Sequence, residues 1–151
     1  MDVAQGGRNV LMHGLSLIFA GLLWGLAVPF TPYPRLGLVA HIQFEVNGLL
    51  LLAMGTLLLA LPHRVGPKSV RAMTVAAWLV WPMIFSQIAN AWWGTTRALP
   101  IAGAQAGVTG GAPWQEALVY GAHGLASVAL ILAWALLVAG FAKGGEAGRQ
   151  A

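Results

Sequence analysis

Four stretches of this chain, near residues 10–30, 37–61, 70–94 and 115–142, are almost continuously apolar, and the segments between them carry proline, glycine and most of the charge. About 20 helical residues cross roughly 30 Å of hydrocarbon, so each stretch is long enough to span a bilayer. The pattern predicts an all-α protein: one integral membrane domain over residues 1–151, built as a four-helix transmembrane bundle. The first stretch exceeds the roughly 7–15 apolar residues of a secretory signal, and no small-residue cleavage site follows it, so it reads as a spanning helix. TPYPR (31–35) and LPHRVGPK (61–68) carry the prolines of turns. ALPIAGAQAGVTGGAPW (98–114) reads as a loop, too rich in glycine and polar groups for a helix in lipid, that can fold back on the bundle as a lid.

Polar residues interrupt this pattern at one level. His41, Gln43, Glu45 and Asn47 stand at the head of the run GLLLLAMGTLLLAL (48–61). Arg8, Arg64, Lys68, Arg71, Lys143 and Arg149 fall on the side that holds both termini, against Arg35 and Arg97 on the other. The positive-inside rule then places both termini in the cytoplasm. With that topology, the second helix enters from the outer face with His41 to Asn47. The third leaves there with Ser86, Gln87 and Asn90, and the fourth starts there with Glu116, Tyr120 and His123. Three helices offer polar side chains to the outer layer, which marks it as a candidate site.

Composition narrows the chemistry. The chain is 58% hydrophobic and 8% charged, with a net charge of +4 that comes from few acids, not from basic runs, so it carries no signal for nucleic acid. It has no cysteine, hence no disulfide and no thiolate ligand or nucleophile. Any metal or haem must be held by nitrogen or oxygen, with methionine a weaker option. No Ser-His-Asp set, phosphate-binding glycine loop or HExxH helix is present.

His41 and Glu45, four residues apart, share a helix face, whereas Asn47 lies about 240° further round than His41. One of these faces is expected to serve the bundle's own pocket and the other a neighbouring helix or subunit. A lone membrane histidine is more often an interhelical hydrogen bond than a ligand. Convergence of three helices on one layer favours a metal or haem ligand for His41. For Glu45 a catalytic role stands beside two structural ones, orienting the His41 ring or pairing with Arg35 or Arg97. His13 reads as a structural hydrogen bond, and Gln87, Trp92, Trp93, Tyr120 and His123 are candidate pocket residues.

PRLGLVAHIQFEVNGLLLLAMGTLL (34–58) resembles the second helix of bacterial hydroxylaminobenzene mutases, and its core AHxxxxxNG is similar to that of styrene oxide isomerase. MHGLSLIFAGLLWG (12–25) resembles the isomerase's first helix, and SQIANAWWGTTRALPIAGAQAGVTGGAPWQEALVYGA (86–122) resembles the mutases. The resemblance implies a multi-pass enzyme of the bacterial inner membrane that forms homotrimers and binds haem b near the subunit interface. His41 would then be the axial iron ligand, and Asn47 and Asn90 would line the pocket of a small aromatic substrate. The styrene oxide enzymes have a tyrosine four residues after the third-helix Asn, where this chain has Gly94. That departure favours the mutase branch, with Tyr120 or Trp93 as replacement rings. The implied reaction converts an arylhydroxylamine to a 2-aminophenol, with iron as Lewis acid and Asn47, Asn90 and Glu45 as catalytic groups. The alternatives are epoxide isomerisation to an aldehyde and, in another class, a haem-binding electron carrier or a structural subunit.

Overall fold

The computed structural model describes residues 1–147; Arg149 lies outside them. The chain folds into helices α1 (Val3–Ala27), α2 (Pro34–Ala60), α3 (Pro67–Trp93), α4 (Pro100–Gln105) and α5 (Pro113–Ala147), with a short 3-10 turn, Val28–Phe30, after α1. Among the described residues there is no strand, and four helices are long and apolar enough to cross a membrane.

Local chemistry sets the helix ends. Asp2 caps α1 by accepting from the Gln5 N–H at 2.7 Å, so the helix starts seven residues before its apolar run and carries the polar stretch AQGGRN into the first turns. Prolines stand in the first turns of α2, α3, α4 and α5, where a missing N–H costs nothing. Gly94 ends α3 in the left-handed region at φ 65°, its N–H returning to the Asn90 carbonyl at 3.0 Å.

The long helices alternate in direction. The α1 and α2 pair packs most closely and α5 packs on α3, while α3 joins the two pairs and is the most buried of the four. The core runs along this junction through Val10, Leu17, Phe44, Leu51, Met54, Met73, Val80, Ile84 and Leu130. Large apolar side chains such as Phe19, Leu26, Trp78, Ile131 and Val138 point outward, as they do where the solvent is lipid.

Glycines bring α1 and α2 together. Gly7, Gly14 and Gly21 recur every seven residues along α1, and Gly48 and Gly55 do so along α2. A methyl on Gly14 would lie 2.5 Å from the Leu52 nitrogen and 2.7 Å from the Gly48 carbonyl; one on Gly55 would lie 2.6 Å from the Leu11 nitrogen. Backbone meets backbone along this seam, the usual way helices associate where lipid removes the hydrophobic drive.

The segment expected to be an irregular loop contains α4, packed against α2. Gly103 and Ala106 close its turn by donating to Leu99 and Ala102 carbonyls, and Arg35 Nε donates to Gln105 Oε1 at 2.7 Å. Six residues with satisfied backbone are tolerable at the bundle's end, where a full span of this composition is not.

Candidate functional site

The closeness of α1 and α2 shapes the surroundings of His41. Its ring lies against Gly25, where a methyl would sit 3.1 Å from Cε1, and its Nδ1 is 2.9 Å from the Gly21 carbonyl. A carbonyl only accepts, so Nδ1 carries the proton and donates, and the neutral ring keeps its lone pair on Nε2. Nε2 has no partner among the described residues, and the ring is half-buried.

Glu45 shares that wall. One carboxylate oxygen occupies the notch left by Gly21, where a methyl would lie 2.5 Å from Oε1 and 2.7 Å from Phe44 Cβ. Oε1 is buried and has no hydrogen-bond partner. Neither structural role considered for Glu45 is the one observed. The Gly21 carbonyl orients the His41 ring, Arg35 donates to Gln105, and the Arg97 guanidinium stacks 4.5 Å above the Tyr120 ring. Gly21 therefore serves both residues, through its carbonyl and through the side chain it lacks.

The separation of His41 and Asn47 around the helix holds in three dimensions. His41 faces α1, whereas Asn47 is 5% exposed, and its Nδ2 donates to the Gln43 carbonyl at 2.7 Å and to Gln43 Oε1 at 2.9 Å. Gln87 and Asn90, both fully buried on α3, each use one end of the amide. Asn90 Oδ1 accepts from the Thr95 N–H and hydroxyl, each at 2.7 Å, and Gln87 Nε2 lies 3.1 Å from His123 Nδ1. Asn90 Nδ2 and Gln87 Oε1 are left unpartnered, a donor and an acceptor three residues apart on one helix face.

The aromatic candidates disperse. Trp92 is half-exposed and pairs with Trp24 at 5.9 Å between centroids; Trp93 packs edge-on to Trp114 at 5.0 Å; Tyr120 is half-exposed beneath Arg97. The ring that fills the place beside Gly94 is Tyr33: a methyl on Gly94 would meet Tyr33 Cε2 and Val108 Cγ1, each at 3.0 Å. Tyr33 stands before α2, and its N–H donates to the Ala91 carbonyl at 3.1 Å, which pins that turn to the end of α3. Its signal in the sequence was its place between two prolines in TPYPR, which reads as turn chemistry and hides the ring.

Glu116 closes the same end of the bundle. Its carboxylate accepts from the Thr96, Arg97 and Gly111 N–H groups at 2.9–3.0 Å, tying both ends of the α4 loop to the first turn of α5. It is thereby engaged with backbone and not with the His41 wall.

The model of the styrene oxide isomerase family matches residues 7–142. The chain belongs to the styrene oxide isomerase family. It is an isomerase of that family, with helices fit to cross a membrane several times. It is 31% identical over 138 residues to hydroxylaminobenzene mutase HabB of Ectopseudomonas oleovorans, covering 88% of this chain and 79% of that protein. Hydroxylaminobenzene mutase HabA of the same organism is 35% identical over 85 residues, 56% of each chain. No solved structure matches the chain.

Proposed function

We propose that this isomerase rearranges an N-arylhydroxylamine into a 2-aminophenol, with haem b held by His41. Support for the substrate class comes from the relative named hydroxylaminobenzene mutase, which aligns along most of both chains. What carries the site is His41, with Nδ1 anchored on a backbone carbonyl and Nε2 free. Among the described residues no three His, Asp or Glu side chains gather to hold a metal ion alone. An iron already held in a porphyrin needs no such cluster, and His41, whose Nδ1 donates to the Gly21 carbonyl, would hold it through an oriented and more basic Nε2. The residues present thus fit the group. When bound, it supplies a Lewis acid for the N–OH oxygen.

The chain's own groups supply the rest. The unpartnered Asn90 Nδ2 donates to the hydroxylamine oxygen as negative charge develops there. Glu45 Oε1 accepts the proton released from the ortho carbon and returns it to nitrogen. Asn47, braced by Gln43, faces away from His41, so it and Asn90 orient a substrate held between copies of the chain, His41 coming from one copy and the two amides from its neighbour. An indole face such as that of Trp92 stabilises positive charge on the ring. The N–O bond breaks, a C–O bond forms at the ortho carbon, and one ring hydrogen is exchanged for an N–H. The reaction is redox-neutral and needs no co-substrate. Apolar surroundings keep water from trapping the ring cation. The same reading places both termini in the cytoplasm, since exposed Arg8, Arg64, Lys68, Arg71 and Lys143 crowd that end.

The test is a visible spectrum and a chromatographic assay on native protein and His41→Ala, both in detergent. We expect a Soret band and conversion of hydroxylaminobenzene to 2-aminophenol in the native protein, and neither in the variant. A native protein that stays colourless after reconstitution with haem, or a variant that keeps band and turnover, overturns the reading.

A further inference from the structure

A second polar cluster lies away from His41. Between α1 and α3 a groove of about 400 Å³ is lined by Asn9, Met12, His13, Ser16, Trp78 and Trp81. His13 is twelve residues from Gly25 along α1, about 18 Å of helical rise, so this groove is separate from the His41 wall. His13 itself lies five residues beyond the exposed Arg8, about 7.5 Å further along the helix and inside the apolar span, while Asn9, beside Arg8, carries the lining back to the level of the basic residues.

The His13 ring is held in a defined state. The Trp81 indole N–H donates to His13 Nδ1 at 2.9 Å, and Trp78 packs edge-on to the same ring at 4.6 Å between centroids. An indole only donates, so Nδ1 is the acceptor and the neutral imidazole carries its proton on Nε2. That N–H has no partner among the described residues, and the Ser16 hydroxyl stands one turn away on the same stripe. A polar hydrogen facing hydrocarbon without an acceptor is costly, so the groove is built to be filled.

We propose that this groove is a second ligand site, for a neutral aromatic molecule dissolved in the bilayer that presents one oxygen acceptor to His13. The chemistry follows from the lining. Nε2–H calls for an acceptor; the 62%-exposed Trp78 and the Trp81 indole give a π surface for a flat ring; the volume lies in the range of small-molecule sites. A phospholipid is the poorer match, because its acyl chains, the part that lies in the apolar span beside His13 and Trp78, offer neither an acceptor nor a flat ring. The inference is independent of the haem and of the substrate assigned to His41.

The probe is 4-fluoroacetophenone, which has one ring and one carbonyl acceptor, followed by fluorine NMR on the full chain in nanodiscs; 4-fluorotoluene, lacking the acceptor, reports partition into lipid. We expect saturable broadening of the ketone beyond that of the toluene. It should persist in His41→Ala and weaken about fivefold in His13→Phe, the worth of one hydrogen bond. Trp78→Leu, at an exposed position that leaves the Trp81–His13 bond intact, should weaken it severalfold and carries the test if His13→Phe does not fold. Broadening unchanged in the folded groove variants, lost in His41→Ala, or abolished by excess short-chain phosphatidylcholine overturns the proposal.

Discussion

Replacing Gly14 by alanine tests whether backbone contact holds α1 to α2. The added methyl would lie 2.5 Å from the Leu52 nitrogen, 2.7 Å from the Gly48 oxygen and 2.9 Å from Leu52 Cα. All three are main-chain atoms, so no side chain can swing aside, and the helices must part by about 1 Å to restore ordinary contact near 3.5 Å. Overpacking of this kind costs about 1–3 kcal/mol. Alanine is the better helix former by up to about 1 kcal/mol, which offsets part of that. The net expectation is a loss of about 1–2 kcal/mol, a factor of roughly 5–30 in the unfolding constant. The control is Gly124→Ala on α5, where a methyl meets nothing within 4 Å and only the helix-propensity gain remains. Both variants are unfolded by SDS in mixed micelles and followed by tryptophan fluorescence and circular dichroism. Gly14→Ala at least as stable as Gly124→Ala would refute the glycine seam as the determinant of this packing.

Two further outcomes follow from the loop end. Glu116→Gln should loosen the α4 loop, because a neutral amide accepts less strongly from the Thr96, Arg97 and Gly111 N–H groups; hydrogen exchange across residues 95–111 should quicken about tenfold while the His41 spectrum stays unchanged. Tyr33→Phe keeps the ring that packs beside Gly94 and removes only the hydroxyl; an unchanged Tm with kcat/KM for hydroxylaminobenzene lowered about tenfold would place that phenol at the substrate, and parallel loss of both would make it structural.

Hydropathy located the four spans because their burial in lipid depends on summed apolarity, which tolerates errors of a few residues. It missed the true start of α1 because Asp2 and its cap let a polar stretch remain helical outside the apolar run. It also missed α4, since Gly and Ala in a short segment carry no periodic signal. The glycine seam escaped for a different reason. Seven-residue spacing on one helix means nothing until the partner helix is known, and the atoms that crowd Gly14 belong to Gly48 and Leu52, far along the chain.

The same distinction divides the polar residues of α2. Angular separation along one helix was enough to send His41 and Asn47 to different environments, because 100° per residue is a property of the helix alone. What each face meets is a property of the pair. His41 takes its orientation from the Gly21 carbonyl, a group present at every residue and therefore invisible as a motif, and Glu45 takes its place from a side chain that Gly21 lacks. A carbonyl and an empty notch leave no mark on a residue pattern. Yet together they decide which imidazole nitrogen is free and where a carboxylate stands beside it, and the chemistry proposed for His41 depends on both.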